Sequence, residues 1–306
     1  MLSAMYENGG NTTHRLLDGH PDLFVYPFES QVGTSLVSDH LTSMFPVKYR
    51  WPCFDLAAAP EGDYEAIIDE ECKVRTKTPQ VSKFRDWPMR LDDAARRRAF
   101  VQRLGAGPRT RGRLVEAFFQ ATFDAWEDHA ASGEERTYVG YSPIIVVDAA
   151  KILTDLPGAH VLHVVRNPWS AYADTKLRAV PRSLEHYLLG WTLCQQLALQ
   201  ERERWPDRLH VLRYEDIIVD PARVLGAFCE RVRLRASPTL ARATWNGKEL
   251  ETVHPWGTIR VPTTETNLAT AARLSAEERV EVRRRARPFL ELLGYADFLD
   301  GLGASR

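Results

Sequence analysis

The sequence predicts an α/β fold: a central parallel sheet flanked by helices, with a mostly helical insertion or lid over residues 46–135. Three observations lead there. Short runs dense in Val and Leu recur along the chain, bounded by turn residues, as in strands buried on both faces. Stretches with apolar residues at helical spacing lie between them. The alternation of the two favours a doubly wound sheet. A chain of 306 residues, 44% of them apolar, is long enough to bury the core such a sheet needs, and it reads as one domain over residues 1–306.

The strands are read in order. LSAMY (2–6) is a short apolar start and LFVYP (23–27) a second run. YVGYSP (138–143) is a further candidate, while HVLHVVR (160–166) and LHVLRYE (209–215) are the clearest. Among the helices, residues 113–126 place Leu114, Val115, Phe118, Phe119 and Trp126 near one face, and residues 183–204 repeat the pattern with Tyr187, Leu188, Trp191, Cys194 and Leu197. Asp220 before Pro221 reads as an N-cap with proline at the first helical position. Ser275 with Glu278 reads as a capping box opening a basic C-terminal helix. Pro288 should kink or divide that helix and Gly294 should end it. The stretch 46–112, rich in proline, charge and aromatic residues, reads as insertion over the sheet rather than a second core.

Composition excludes several classes of function. Lys plus Arg number 40 against 41 Asp plus Glu, a net charge of −1, which argues against a nucleic-acid binder. No apolar run approaches the roughly 18–20 residues of a membrane span, and the N-terminus lacks the pattern of a secretion signal. The four cysteines, Cys53, Cys72, Cys194 and Cys229, are scattered. They read as reduced thiols of a cytoplasmic protein, with no zinc or other metal site.

In doubly wound sheets ligands bind beyond the carboxyl ends of the strands, so the residues after 6, 27, 166 and 215 carry the functional argument. Glu7-Asn8-Gly9-Gly10-Asn11-Thr12-Thr13-His14 lies between a strand and a helix. Its glycines let backbone approach an anion, and its hydroxyls and helix-start amides can donate to one. It is not the Walker form, since no lysine follows the glycines. Arg166-Asn167-Pro168-Trp169 places an arginine at a strand end and a helix start together, with Arg178 further along. Read singly, the first motif is equally an ordinary capped turn, and Arg166 equally the partner of a structural carboxylate.

Taken together, the 8–13 loop, LLDGHPDL (16–23), HVVRNPWSAYADTKLR (163–178) and RYEDIIVDPARVLGAFCERV (213–232) resemble the sulfotransferase superfamily in its bacterial, carbohydrate- and tyrosylprotein-sulfotransferase-like branch. The resemblance covers about half of the chain and implies a P-loop-like α/β sandwich. It implies 3'-phosphoadenosine 5'-phosphosulfate (PAPS) as donor, adenosine 3',5'-bisphosphate as product, and no metal. Gly9, Gly10, Asn11, Thr12 and Thr13 would hold the 5'-phosphosulfate, Arg166 and Arg178 the 3'-phosphate, and Tyr214 would join the nucleotide site. Residues 254–267 are the counterpart of a loop closing on the nucleotide. Two positions depart from the family pattern. Where the family carries Arg or Lys in the loop, this chain has Glu7 or Asn8; Arg15 or Lys176 could supply the cation instead. Where the family carries Ser after its arginine, this chain has Asp174, which is expected to point away or be neutralised by Arg178.

Transfer to a hydroxyl needs a base within reach of the acceptor. The resemblance implies a glutamate shortly after the second strand, which is Glu29; its other reading is a carboxylate opening a helix. Among nine histidines, His14 in the anion loop and His254 in the closing loop are the alternatives, while His20, His160 and His163 read as structural. Tyr49, Trp51, Phe84 and Trp87 either line an acceptor pocket or pack a satellite core. The expectation is a cytoplasmic enzyme that sulfates a hydroxyl on a sugar, lipid or secondary metabolite, with no nucleic-acid partner. Its rivals are a nucleotide-binding protein of the same fold with impaired catalysis, and a P-loop kinase, against which the missing Walker lysine counts.

Overall fold

The structure is a computed structural model, and it describes all residues except 58, 83, 251–262 and 303–306. Five parallel strands form the central sheet in the order β2-β3-β1-β4-β5. They are β1 (Leu2–Ala4), β2 (Leu23–Glu29), β3 (Thr137–Tyr141), β4 (Val161–Val165) and β5 (Leu209–Arg213). The five apolar runs therefore fall on the five strands. All residues of β1 and β4 are buried, which explains why these two read as unbroken apolar runs rather than alternating ones.

Helix α1 (Gly10–Leu17) follows β1 directly. The insertion carries α2 (Pro60–Ala66), α3 (Glu70–Lys77), α4 (Asp93–Leu104) and α5 (Arg111–Ala125). Phe119 of α5 meets Tyr26 of β2 edge to face at 5.6 Å, so the insertion packs on the β2 side of the sheet and shares its core. Then come α6 (Ala149–Asp155), α7 (Pro168–Thr175), α8 (Leu184–Arg204), α9 (Tyr214–Val219) and α10 (Pro221–Arg231). A short hairpin of β6 (Thr244–Trp245) and β7 (Lys248–Glu249) precedes α11 (Thr264–Ala271) and α12 (Ala276–Leu292).

The caps sit where the residue types require. Asp220 accepts from the Arg223 amide at the start of α10, and Ser275 with Glu278 forms the reciprocal box of α12. Gly294 ends α12 at φ +69°. Pro288 does not divide that helix, which continues to Leu292. Buried Val282, Ala286 and Leu290 hold it against the core on both sides of the proline, and tertiary packing outweighs the lost amide.

Pro27 has a comparable explanation. Proline cannot donate to a ladder, and β2 tolerates it as an edge strand. The pairing with β3 shifts register between Val25 and Glu29, and the strand runs on two residues past the expected end. Glu29 closes a strand and opens no helix, so its reading as a helix-start carboxylate is corrected.

A candidate active site at the carboxyl edge of the sheet

The loop after β1 and the end of β4 lie side by side where the chain leaves the sheet in opposite directions, the place where open α/β sheets bind ligands. Glu7 has φ +59° and Gly9 φ +86°. The loop is tightly packed as well as turned. A β-carbon on Gly9 would overlap the Tyr214 ring at the end of β5, and one on Gly10 would overlap the Tyr141 ring at the end of β3. Asn8 is fully buried and points inward. Its Oδ1 accepts from the Arg166 amide at 3.0 Å and from Trp191 Nε1 at 3.2 Å, and its Nδ2 donates to Tyr6 O at 2.8 Å and the Tyr187 hydroxyl at 3.1 Å. Asn8 thus ties loop, strand and α8 together.

Helix α1 opens on Gly9 without a side-chain cap. Its first-turn amides therefore have no carboxylate or hydroxyl of their own, the condition for receiving an anion. Thr13 Oγ1 donates to Gly9 O at 3.0 Å, and Thr12 is buried beside it. Asn11 lines a small cavity with Glu29, His14 and Arg15.

Arg166 is buried and already engaged. Its Nη1 donates to Asp174 Oδ2 at 2.7 Å and to Glu7 O at 3.0 Å, its Nε to Asn267 Oδ1 at 2.7 Å, and its guanidinium lies 5.2 Å from the Tyr214 ring centre. Burial opposes the Arg166 charge, but Asp174 outweighs it and the pKa is raised. The other Asp174 oxygen accepts from Arg273 Nη2 at 2.7 Å. Arg178 pairs instead with Glu7, at 3.5 Å. Asp174 is therefore neutralised, by Arg166 and Arg273 and not by Arg178 as expected. Burial raises the Glu7 pKa, and Arg178 works against the rise. The two carboxylates that depart from the family pattern each hold one of the two arginines assigned to phosphate. The Glu215 carboxylate braces this side, accepting from Asn167 (amide and Nδ2), Asn267 Nδ2 and the Tyr295 hydroxyl.

Glu29 stands at the end of β2, paired in register with Tyr141. The Tyr49 hydroxyl donates to Glu29 Oε2 at 2.8 Å; burial and then the Glu29 charge raise the Tyr49 pKa, so it stays a donor. His14 is buried against Tyr141, with Arg15 Nη2 2.7 Å from its Nδ1. Burial, helped by Arg15, holds its pKa well below the usual value, so the ring is neutral. Arg15 is itself buried, lies 5.1 Å over the Trp245 ring and has an Nη1 without a hydrogen-bond partner. Lys176 is committed elsewhere, to Glu278 at 2.7 Å. His254 and residues 254–262 of the closing loop lie outside the described residues. Of the four aromatic residues named from sequence, Tyr49 lines an open cavity; Phe84 and Trp87 pack on Trp245, and Trp51 donates to Asp155.

Sequence reasoning missed Arg273 and Tyr141, which reach the site from distant segments; Tyr141 left a trace only as the end of a strand-like run, and Asn267 was included only as the last residue of the 254–267 closing loop. Among the described residues no group of His, Cys, Asp and Glu is placed to hold a metal, and no helix is long and apolar enough to cross a membrane.

The uncapped start of α1 and the Glu29 carboxylate at the neighbouring strand end thus stand together at the carboxyl edge of the sheet. The chain belongs to the sulfotransferase family, whose sequence profile matches residues 9–238. No curated protein matches it significantly. Among solved structures it is similar to the sulfotransferase domain of the Synechococcus PCC 7002 olefin synthase (18% identity, 94% of this chain and 92% of that one, TM-score 0.53). It is also similar to the sulfotransferase domain of the curacin biosynthetic pathway (14% identity, 94% and 96% covered, TM-score 0.53). At these identities the likeness is one of fold.

Proposed function

We propose that the protein transfers a sulfuryl group from PAPS to a hydroxyl of a small-molecule acceptor, with Glu29 as general base. The observation that carries this reading is the placement of Glu29 beside the uncapped start of α1, held there by Tyr49. The acceptor oxygen attacks sulfur, the bond from sulfur to the bridging phosphate oxygen breaks, and the acceptor proton passes to Glu29. Adenosine 3',5'-bisphosphate leaves. The amides and hydroxyls of residues 9–13 would hold the 5'-phosphosulfate, and Arg15, whose Nη1 makes no hydrogen bond and lies 3.9 Å from Asp18, is the cation lining the small cavity beside them. Such transfer asks for alignment and charge stabilisation more than for covalent help from the protein.

The donor set fits the 5' end of PAPS directly. It fits the 3' end by exchange: the 3'-phosphate takes over Arg166 and Arg178, and Asp174 and Glu7 give them up. Four free cysteines, three of them buried, agree with a cytoplasmic protein. The same two carboxylate pairs favour a second reading, a nucleotide-binding protein with weakened transfer. Labelled sulfate from PAPS, offered with a broad set of hydroxyl acceptors, decides between them. Transfer supports the first reading; bisphosphate binding without transfer supports the second.

A further inference from the structure

An open cavity of about 840 Å³ adjoins the Glu29–Tyr49 pair and holds a cation that the transfer itself does not employ. Arg182 lines it, with its guanidinium carbon 4.7 Å from the centre of the Tyr6 ring. Among the described residues no carboxylate lies within ion-pairing reach of Arg182. Its neighbour Arg178, also over Tyr6, is by contrast held by Glu7. The Tyr6 hydroxyl is buried and has no hydrogen-bond partner. Tyr6 and Tyr49 meet edge to face at 6.1 Å, so the two rings form a continuous wall from Arg182 at one end to Glu29 at the other. Met44, Phe45, Pro46 and Val180 add apolar lining, interspersed with Thr42, Ser43, Ser183 and His186.

We propose that the acceptor is an amphiphile with three parts: a hydroxyl at Glu29, an apolar body along the Tyr6–Tyr49 wall, and an anionic head on Arg182. The placement of the hydroxyl rests on the transfer reading above; the anionic head does not. A guanidinium held over a ring keeps its planar fork of donors for an incoming anion. Both a carboxylate and a phosphate monoester match that fork. A neutral acceptor would fill the apolar wall and leave Arg182 unused.

Calorimetric titration tests this with 12-hydroxydodecanoate, 12-hydroxydodecyl phosphate and the neutral 1,12-dodecanediol, each added to protein saturated with adenosine 3',5'-bisphosphate. At least one anion should bind about 10–100-fold more tightly than the diol, the range of a charge-assisted hydrogen bond; which one does identifies the head. Arg182→Ala should erase the preference, Arg182→Lys should keep part of it, and Arg182→Glu should favour the diol. Affinity for the bisphosphate alone should be the same in Arg182→Ala as in the parent protein. The proposal is overturned if the diol binds as well as both anions, if Arg182→Ala keeps the preference, or if that variant loses the bisphosphate, which would assign Arg182 to the donor. Selective anion binding without sulfate transfer to any of the three would leave the anion site standing and count against the transfer reading.

Discussion

The donor half and the acceptor half of the site meet at Tyr6, yet they are built on opposite terms. On the donor half the two arginines assigned to the 3'-phosphate are already paired: Arg166 with Asp174, and Arg178 with Glu7. On the acceptor half Arg182 has no carboxylate among the described residues, and the cavity stands open. Buried charges need partners, and buried Arg166 has one, whereas Arg178 is exposed and Arg182 half-buried along the same open cavity, where both can rely on water. On the proposed reading the donor would compete with the protein's own carboxylates, whereas an anionic acceptor would meet Arg182 with no carboxylate partner among the described residues.

The largest effect expected is on chemistry. Glu29→Gln keeps shape and hydrogen bonding but takes no proton at neutral pH. Its sulfate-transfer rate should fall by about 10²–10⁴-fold, with bisphosphate affinity and thermal stability unchanged. Loss of binding and stability together with rate would make Glu29 a structural residue. Normal turnover would move the base elsewhere, and His254 would be the next candidate, since Arg15 already occupies His14.

Asp174→Ser sharpens the donor side of the comparison. Removing one partner of a buried pair costs about 3–5 kcal/mol, so the free variant should melt earlier. Its affinity for adenosine 3',5'-bisphosphate should nevertheless rise by about 10-fold or more, because Arg166 no longer has a competitor. Weaker nucleotide binding in this variant would mean that Asp174 supports the donor and does not compete with it.

Acid titration probes the scaffold that both halves share. Burial lowers the His163 pKa to about 4, partly opposed by its hydrogen bond to Gln195. The unfolded chain takes up that proton near the ordinary histidine value of 6.5, so stability is full above that pH and is lost as pH falls toward about 4. The loss from this one residue is at most about 3–4 kcal/mol, at roughly 1.4 kcal/mol per unit. His210 is lowered to about 4, first by burial and then by His160, and acts in the same window. His163→Gln should flatten the Tm profile between these limits while leaving part of the slope to His210. An unchanged profile would show that His163 is already protonated when folded.

Tyr49→Phe should have the smallest effect. It deletes one hydrogen bond to Glu29, worth about 1 kcal/mol. The transfer rate should drop a few-fold, and the ring wall toward Arg182 should stay intact. A loss as large as that of Glu29→Gln would make Tyr49 part of the proton-transfer machinery.

What was legible in the sequence is what local physics controls. The five apolar runs, the Asp220 and Ser275 caps and the turn at Gly294 depend on residues a few positions apart, and each was found where its residue types placed it. The loop at 9–13 and Arg166 were visible as strand ends followed by helix starts. The pairing inside the site was not visible. Asp174 meets Arg273 across 99 positions, and Tyr49 reaches Glu29 from an insertion that matches no motif. Pro288 misled because its local penalty is certain while the packing that overrides it is not written nearby.

Asn8 sets how the donor half can move. Its side chain fastens the loop after β1 to the backbone of Arg166 and to α8 through three hydrogen bonds, with a fourth to Tyr6 O within the loop itself. With that frame pinned, handing Arg166 from Asp174 to a phosphate is a matter of rotating side chains, not of rebuilding a loop. Rotamer changes run in nanoseconds where side chains are exposed and more slowly where they are enclosed, but still far faster than loop refolding. Nucleotide capture should then appear in rapid mixing as one concentration-dependent phase, with no slow isomerisation behind it.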